Sequence, residues 1–238
     1  MLFRSGLDTV NVPLKIYDAT LSLGGPIKRD KLWFFTSHRE WGNAHQMAGF
    51  YWNKTPGAPI YTPDLSRPAT RYQWFESHAV RTTWQATQAN KFNFFADVQD
   101  ACICRTGTTV VGSGVGLAPE GTLAFHFRPT GFYQGSWSAP LTNKLLFETT
   151  YAYLKNIQQT KRQAETGLAP MVTDTGLNYR YGSRALNLGA TGSYMYIPRW
   201  QSQPGLNVSY VTGQHVFKTG LLLRYFTTGN ASRNVDPN

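Results

Sequence analysis

The sequence predicts an all-β protein, an antiparallel meander of about eight strands. Three observations carry that expectation. Apolar and polar residues alternate with period two along much of the chain, while helical spacing at i, i+3, i+4 and i+7 is nearly absent. Charged residues make up only 15% of the 238 residues against about 25% in a typical soluble domain, and aromatics reach 14%. Finally, the alternating segments come in pairs joined by short turns, and long connections rich in Gly, Pro, Ser and Thr separate the pairs.

The first pair is 16–24 and 32–41, where Ala19, Leu21 and Leu23 alternate with Thr20 and Ser22 before the turn from Gly24 to Lys31. The second is 77–87 and 91–100, with Val80, Thr82 and Trp84 against Arg81, Thr83 and Gln85, joined through Gln88-Ala89-Asn90. The third is 131–139 and 145–156, with Tyr133, Gly135 and Trp137 against Gln134 and Ser136. The fourth is 205–211 and 216–227, turning at Thr212-Gly213-Gln214-His215. The connections between pairs are expected to be loops over 42–76, 101–130 and 157–204.

Tight turns at one end and long loops at the other, with strands of 7 to 12 residues, form the pattern of an outer-membrane β-barrel. A soluble sandwich spaces its turns more evenly. No run of about 18 apolar residues exists to make a transmembrane helix. Aromatics sit beside every tight turn: Trp33 at the first, Trp84, Phe92 and Phe94 at the second, Trp137 and Phe147 at the third, Tyr210 and Phe217 at the fourth. Ring bodies favour the hydrocarbon edge while polar tips stay wet, so these eight are the candidate lipid-facing girdle. The alternation then sends Trp84, Trp137, Leu221 and Leu223 outward, and Arg81, Gln85, Gln134, Glu148 and Arg224 inward.

The net charge of +10 would suit an anionic partner. No window of five to eight residues is rich in Lys and Arg, however, and the densest pieces are Lys28 to Lys31 and Lys155 to Arg162. No nucleic-acid partner is expected. Cys102 and Cys104 are either half of a zinc site lacking its other ligands or, as the favoured reading, a small disulfide in a loop. No catalytic constellation and no cofactor motif is present. Gly112-Ser113-Gly114-Val115-Gly116 lies in a Gly-rich loop without a strand–helix elbow, and Asp97 and Asp100 lack any general-acid context. The chain is therefore not expected to be an enzyme. Its first residues, Met1 to Gly6, lack the basic start and apolar stretch of a signal peptide.

The stretch from Leu23 to Phe35, with Gly24, Gly25, Pro26, Asp30, Lys31 and Trp33, resembles a hairpin of TonB-dependent outer-membrane receptors. It is similar above all to the Oar-like, acidobacterial type with a carboxypeptidase-regulatory-like domain. Val80 to Gln85 with Asn90-Lys91-Phe92, Ala118-Pro119-Glu120, Gln134 to Thr142 and Ser209 to Lys218 continue the likeness over about 16–227. Cys102-Ile103-Cys104 stands where these receptors often carry a cysteine pair.

The resemblance implies that 1–15 is the end of an extracellular loop and that 16–238 is part of a larger barrel of about 22 strands. Signal peptide and plug would lie outside the sequence given. It implies energy-coupled uptake of a large or scarce ligand across the outer membrane. The partners would be outer-membrane lipid and lipopolysaccharide, the plug, the remaining strands, and a TonB complex reached only through the N-terminal part. Two other readings stand beside it: a complete eight-stranded barrel acting as adhesin or anchor, and a soluble carbohydrate-binding β-domain.

Overall fold

The computed structural model describes residues 10–106, 116–162, 170–182, 195–229 and 231–232. Nearly all of them are strand. In chain order these are β1 (Val12–Lys28), β2 (Leu32–Asn53), β3 (Pro63–Gln85), β4 (Lys91–Thr106) and β5 (Gly116–Leu117). A single 3-10 turn, η1 (Pro119–Gly121), leads into β6 (Leu123–Pro140), β7 (Leu145–Arg162), β8 (Val172–Asp174) and β9 (Tyr179–Tyr181). The chain closes with β10 (Met195–Thr212), β11 (His215–Leu222), β12 (Tyr225–Thr228) and β13 (Ala231–Ser232). The main sheet is a meander in the order β1-β2-β3-β4-β6-β7-β10-β11, antiparallel throughout, as the alternation predicted. It is open, with β1 at one edge and β11 to β13 sharing the other against β10.

The second, third and fourth short turns fall where the sequence put them, whereas the first, expected over Gly24 to Lys31, is confined to 29–31 with Gly24, Gly25 and Pro26 inside β1, and the strands run well past the expected ends. They reach 22 residues in β2 and 23 in β3, and the expected loop over 42–76 shrinks to 54–62. Alternation reveals a strand only while one face is apolar and the other polar. In Arg39 to Asn53 and Pro63 to Ser77 both faces carry polar or mixed residues, so the pattern fades while the backbone ladder continues. The expected loop residues Val12 to Lys15 likewise belong to β1; residues 1–9 lie outside the described residues.

The last strand departs in the other direction. Expected as one segment over 216–227, it is broken at Leu223-Arg224 and again after Thr228. The breaks face Pro204 and Pro198 of β10, whose carbonyls accept from Leu223 N–H at 3.0 Å and Gly229 N–H at 2.9 Å. In an antiparallel strand a residue's N and C=O point to the same side. Both prolines therefore aim their missing N–H at the final strand, and the ladder is interrupted at each.

The pairing is staggered. One row runs straight across the sheet through Leu32, Trp84, Phe92, Trp137, Thr149, Leu206 and Leu221. The turn centre lies roughly two residues beyond this row in the first hairpin and about four, six and seven to eight in the next three. The hairpins thus step by about two residues each, or about one per strand. With ~3.3 Å per residue and ~4.8 Å between strands, bringing the four turns into one plane tilts the strands by ~35°.

The core sits at the end away from the short turns. Buried apolar residues there include Trp52, Cys102, Cys104, Leu117, Ala118 and Tyr181, whereas toward the short turns only Ala139 is buried. A small sheet, β5-β9-β8, covers that far end, with β5 and β9 parallel. It arises inside two segments that the alternation left as loops.

Candidate membrane-facing surface and loop cap

Cross-strand partners share a face, so the pairing sorts every strand residue. One face carries Leu21, Leu23, Phe34, Val80, Trp84, Phe92, Phe94, Tyr133, Trp137, Phe147, Tyr151, Leu206, Tyr210, Phe217 and Leu221. Their rings form a continuous series: Trp84 to Phe92 at 5.4 Å, Phe92 to Trp137 at 6.3 Å, Trp137 to Phe147 at 5.5 Å. Trp137 Nε1 donates to Asn90 Oδ1 in the second turn at 2.9 Å, which fixes the polar edge of the indole toward the turn end. Little covers this face. Leu21 is 74% exposed, Phe94 51% and Phe217 61%, and together they make a far larger apolar patch than single scattered side chains.

The opposite face is knit by polar side chains, with Phe35, Trp41, Phe75, Phe95 and Phe132 set among them. Thr83 donates to Asn93 at 3.0 Å and Asn93 to Ser136 at 3.2 Å, linking three strands. Ser77 and Gln99 both donate to Asp97, Arg39 pairs with Asp18, and Asn156 and Gln158 accept from Arg199. Arg81, Gln85, Gln134 and Glu148 lie on this face, and Arg224 donates to the Gln203 amide oxygen at 2.6 Å. An open trough of about 430 Å³ runs between Arg81, Asn93, Phe95, Gln134 and Ser136.

Trp33 departs from the expected girdle. It pairs with Pro26 and Thr83 and so shares the polar face with Asn93, and Phe34 takes the apolar position. Leu32 to Phe35 is apolar at four consecutive positions, so alternation within the run cannot assign faces and only the register to β3 decides. Trp84, Phe92, Phe94, Trp137, Phe147, Tyr210 and Phe217 share one face.

The hairpin motif has a local explanation. A Cβ on Gly24 would stand 3.0 Å from the Phe35 ring, so glycine allows that ring to lie across the neighbouring strand, whereas Gly25 faces open space. Asp30 takes the left-handed conformation at φ 59, which Asp tolerates, and Lys31 N–H closes the turn on Lys28 C=O at 3.1 Å.

Cys102 and Cys104 form a disulfide, but within β4 rather than in a loop. They pair with Trp74 and Tyr72 on the side of the apolar face, at the buried end. Their Cα separation of 5.4 Å is in the usual disulfide range. His126 lies beside them, its Nε2 3.6 Å from Cys102 Sγ. The three offer ligand atoms within 4.8 Å of one another, but the bonded sulfurs supply no thiolate. The Gly112 to Val115 stretch lies outside the described residues.

The cap was missed by sequence reasoning because strands of two or three residues leave no periodicity. Tyr181 is 2% exposed and donates to Pro59 C=O at 2.6 Å; Tyr61 stacks near both Tyr179 and Tyr181. Asn53 Oδ1 accepts from the N–H groups of Thr55 and Thr62, each at 3.1 Å, and shapes the 54–62 loop. Glu120 in η1 is buried and accepts from the backbone N–H of Asn53 at 3.4 Å, so its carboxyl ties η1 to the end of β2.

Burial pushes the Glu120 carboxyl above the usual range, opposed by nearby backbone N–H groups and by Arg67. A carboxyl whose pKa is raised on folding binds more protons folded than unfolded, so its contribution is present at low pH and lost as pH rises through the folded value. The cap is therefore expected to exchange its amide hydrogens faster as pH rises, after correction for intrinsic exchange. Glu120→Gln should flatten that dependence; a slope unchanged by the substitution would contradict it.

No family model, curated protein or solved structure matches the chain. Among the described residues no helix is long and apolar enough to cross a membrane, which says nothing against crossing by strands.

Proposed function

We propose that this chain supplies part of the wall of an outer-membrane β-barrel, and that the barrel is a TonB-dependent transporter for a large or scarce ligand. The observation that carries the membrane reading is the separation of faces. One side of a single sheet is bare, apolar and aromatic toward the short turns, and the other is knit by polar side chains. In water the apolar side has nothing to cover it; in a bilayer it has lipid. The stagger agrees, since ~35° is the strand tilt typical of transmembrane barrels. The two edges of the open sheet need further strands in a bilayer, where unpaired N–H and C=O groups find no water. That favours a larger barrel over closure of these strands alone. Transport rests on the resemblance of the Gly24 to Phe35 and Ser209 to Lys218 hairpins to TonB-dependent receptors. In this reading the segment is a wall and not a catalyst, energy arrives through a plug, and the cap stands at the outer end.

Single-tryptophan variants in vesicles of brominated phospholipid test the reading. Trp84 and Trp137 should be strongly quenched. Trp41, on the polar face with Arg39 4.6 Å above its ring and Phe75 stacked beside it, should not. Equal and weak quenching of all three, with the chain released by alkaline carbonate, would support a soluble domain instead.

A further inference from the structure

Beyond the apolar band, the same face carries two pairs of like groups that the wall reading does not use. His38 and His78 stand directly opposite each other on β2 and β3, and one step further along Glu40 stands opposite Glu76. The histidine Nδ1 atoms are 3.0 Å apart, with ring centroids at 4.5 Å. Both rings are exposed. Their neighbours in the row, Leu21 and Val98, are apolar and compete for neither ring. Asp100, the next residue beside Glu76, is engaged by Arg128 at 3.1 Å, while the nearest cation on β1, Lys15, lies over the Tyr17 ring. No ion pair joins either glutamate to Lys or Arg among the described residues.

Two carboxylates directly opposite each other repel. A divalent cation would remove that repulsion and use both imidazoles. With metal–nitrogen bonds of about 2.0 Å, nitrogens 3.0 Å apart subtend an angle near ~95°, the cis arrangement of a tetragonal site. Among the described residues neither glutamate forms a three-ligand cluster with the two histidines, so water would fill the remaining coordination positions while the two carboxylates attract the cation from nearby. We propose that His38 and His78 bind a divalent transition-metal ion of the Cu²⁺ or Ni²⁺ kind as a cis pair of nitrogen ligands, with water in the remaining positions.

The test uses the untagged full chain in detergent, with circular dichroism confirming strand content in every variant. Titration with Ni²⁺ should give one tight site per chain, and the electron paramagnetic resonance spectrum with one equivalent of Cu²⁺ should report two coordinated nitrogens. His38→Gln or His78→Gln should weaken Ni²⁺ binding by about 100-fold, and Glu40→Gln with Glu76→Gln by about tenfold. His126→Gln, beside the disulfide, should leave it unchanged. Wild-type affinity in the double histidine variant would overturn the proposal. So would a Cu²⁺ spectrum with one nitrogen or none in the wild-type chain, a result that does not depend on any variant folding.

Discussion

If the sheet spans a bilayer as proposed, Trp137→Arg should lower its stability there by about 3 kcal/mol, and Ser136→Arg, one residue away, by about 1 kcal/mol. The two positions share a strand and receive the same side chain; only the face differs. At 137 the guanidinium replaces an indole packed between Phe92 and Phe147 and enters the apolar band. A charge in that environment costs about 2 kcal/mol or more at depth and less near the interface, and the lost ring contacts add about 1 kcal/mol. At 136 the new side chain enters the open trough on the other face, beside Asn93 and Gln134, and forfeits the hydrogen bond from Asn93. Urea unfolding from phospholipid vesicles measures both. Equal losses would mean that the aromatic face does not meet lipid.

Gly182→Ala should release the cap. Gly182 has φ 84, a conformation that residues with a Cβ rarely adopt, and a Cβ there would run into the backbone carbonyl of Pro170. Neither partner is a flexible side chain that can turn aside. Strain and overlap together cost about 4 kcal/mol. The carbonyl of the same residue lies against Gly121 of η1, so its displacement also loosens η1. Hydrogen exchange should show protection lost over 170–182, with the ladder between β7 and β10 unchanged. Retained protection in the cap would show that the Pro170 backbone can yield.

The sheet was legible in the sequence wherever its two faces differ. Tyr133 to Trp137 against Gln134 and Ser136 fixes both a strand and its orientation, because a one-residue slip would turn every apolar side chain over. Where that contrast is missing, so was the information. Leu32 to Phe35 misled the reading of Trp33, and the upper halves of β2 and β3 passed for loop. The cap depends on contacts between residues far apart in the chain, such as Tyr181 with Pro59 and Glu120 with Asn53. The disulfide follows from two cysteines on the same side of one strand, which the Cys-x-Cys spacing permits, but its place in β4 required the strand to continue past residue 100. The His38–His78 pair needed the β2–β3 register, which no local pattern encodes.

The stagger of about two residues per hairpin bears on how such a wall can grow. Two is even, so an aromatic set at a given distance from its turn meets the same side of the sheet in each successive hairpin. An increment of one would send every second aromatic to the wrong side. A hairpin is therefore a unit that duplication can insert or deletion can remove without turning the surface inside out. Gene rearrangements that respect whole hairpins would change the circumference while leaving each remaining strand in a setting it already fits.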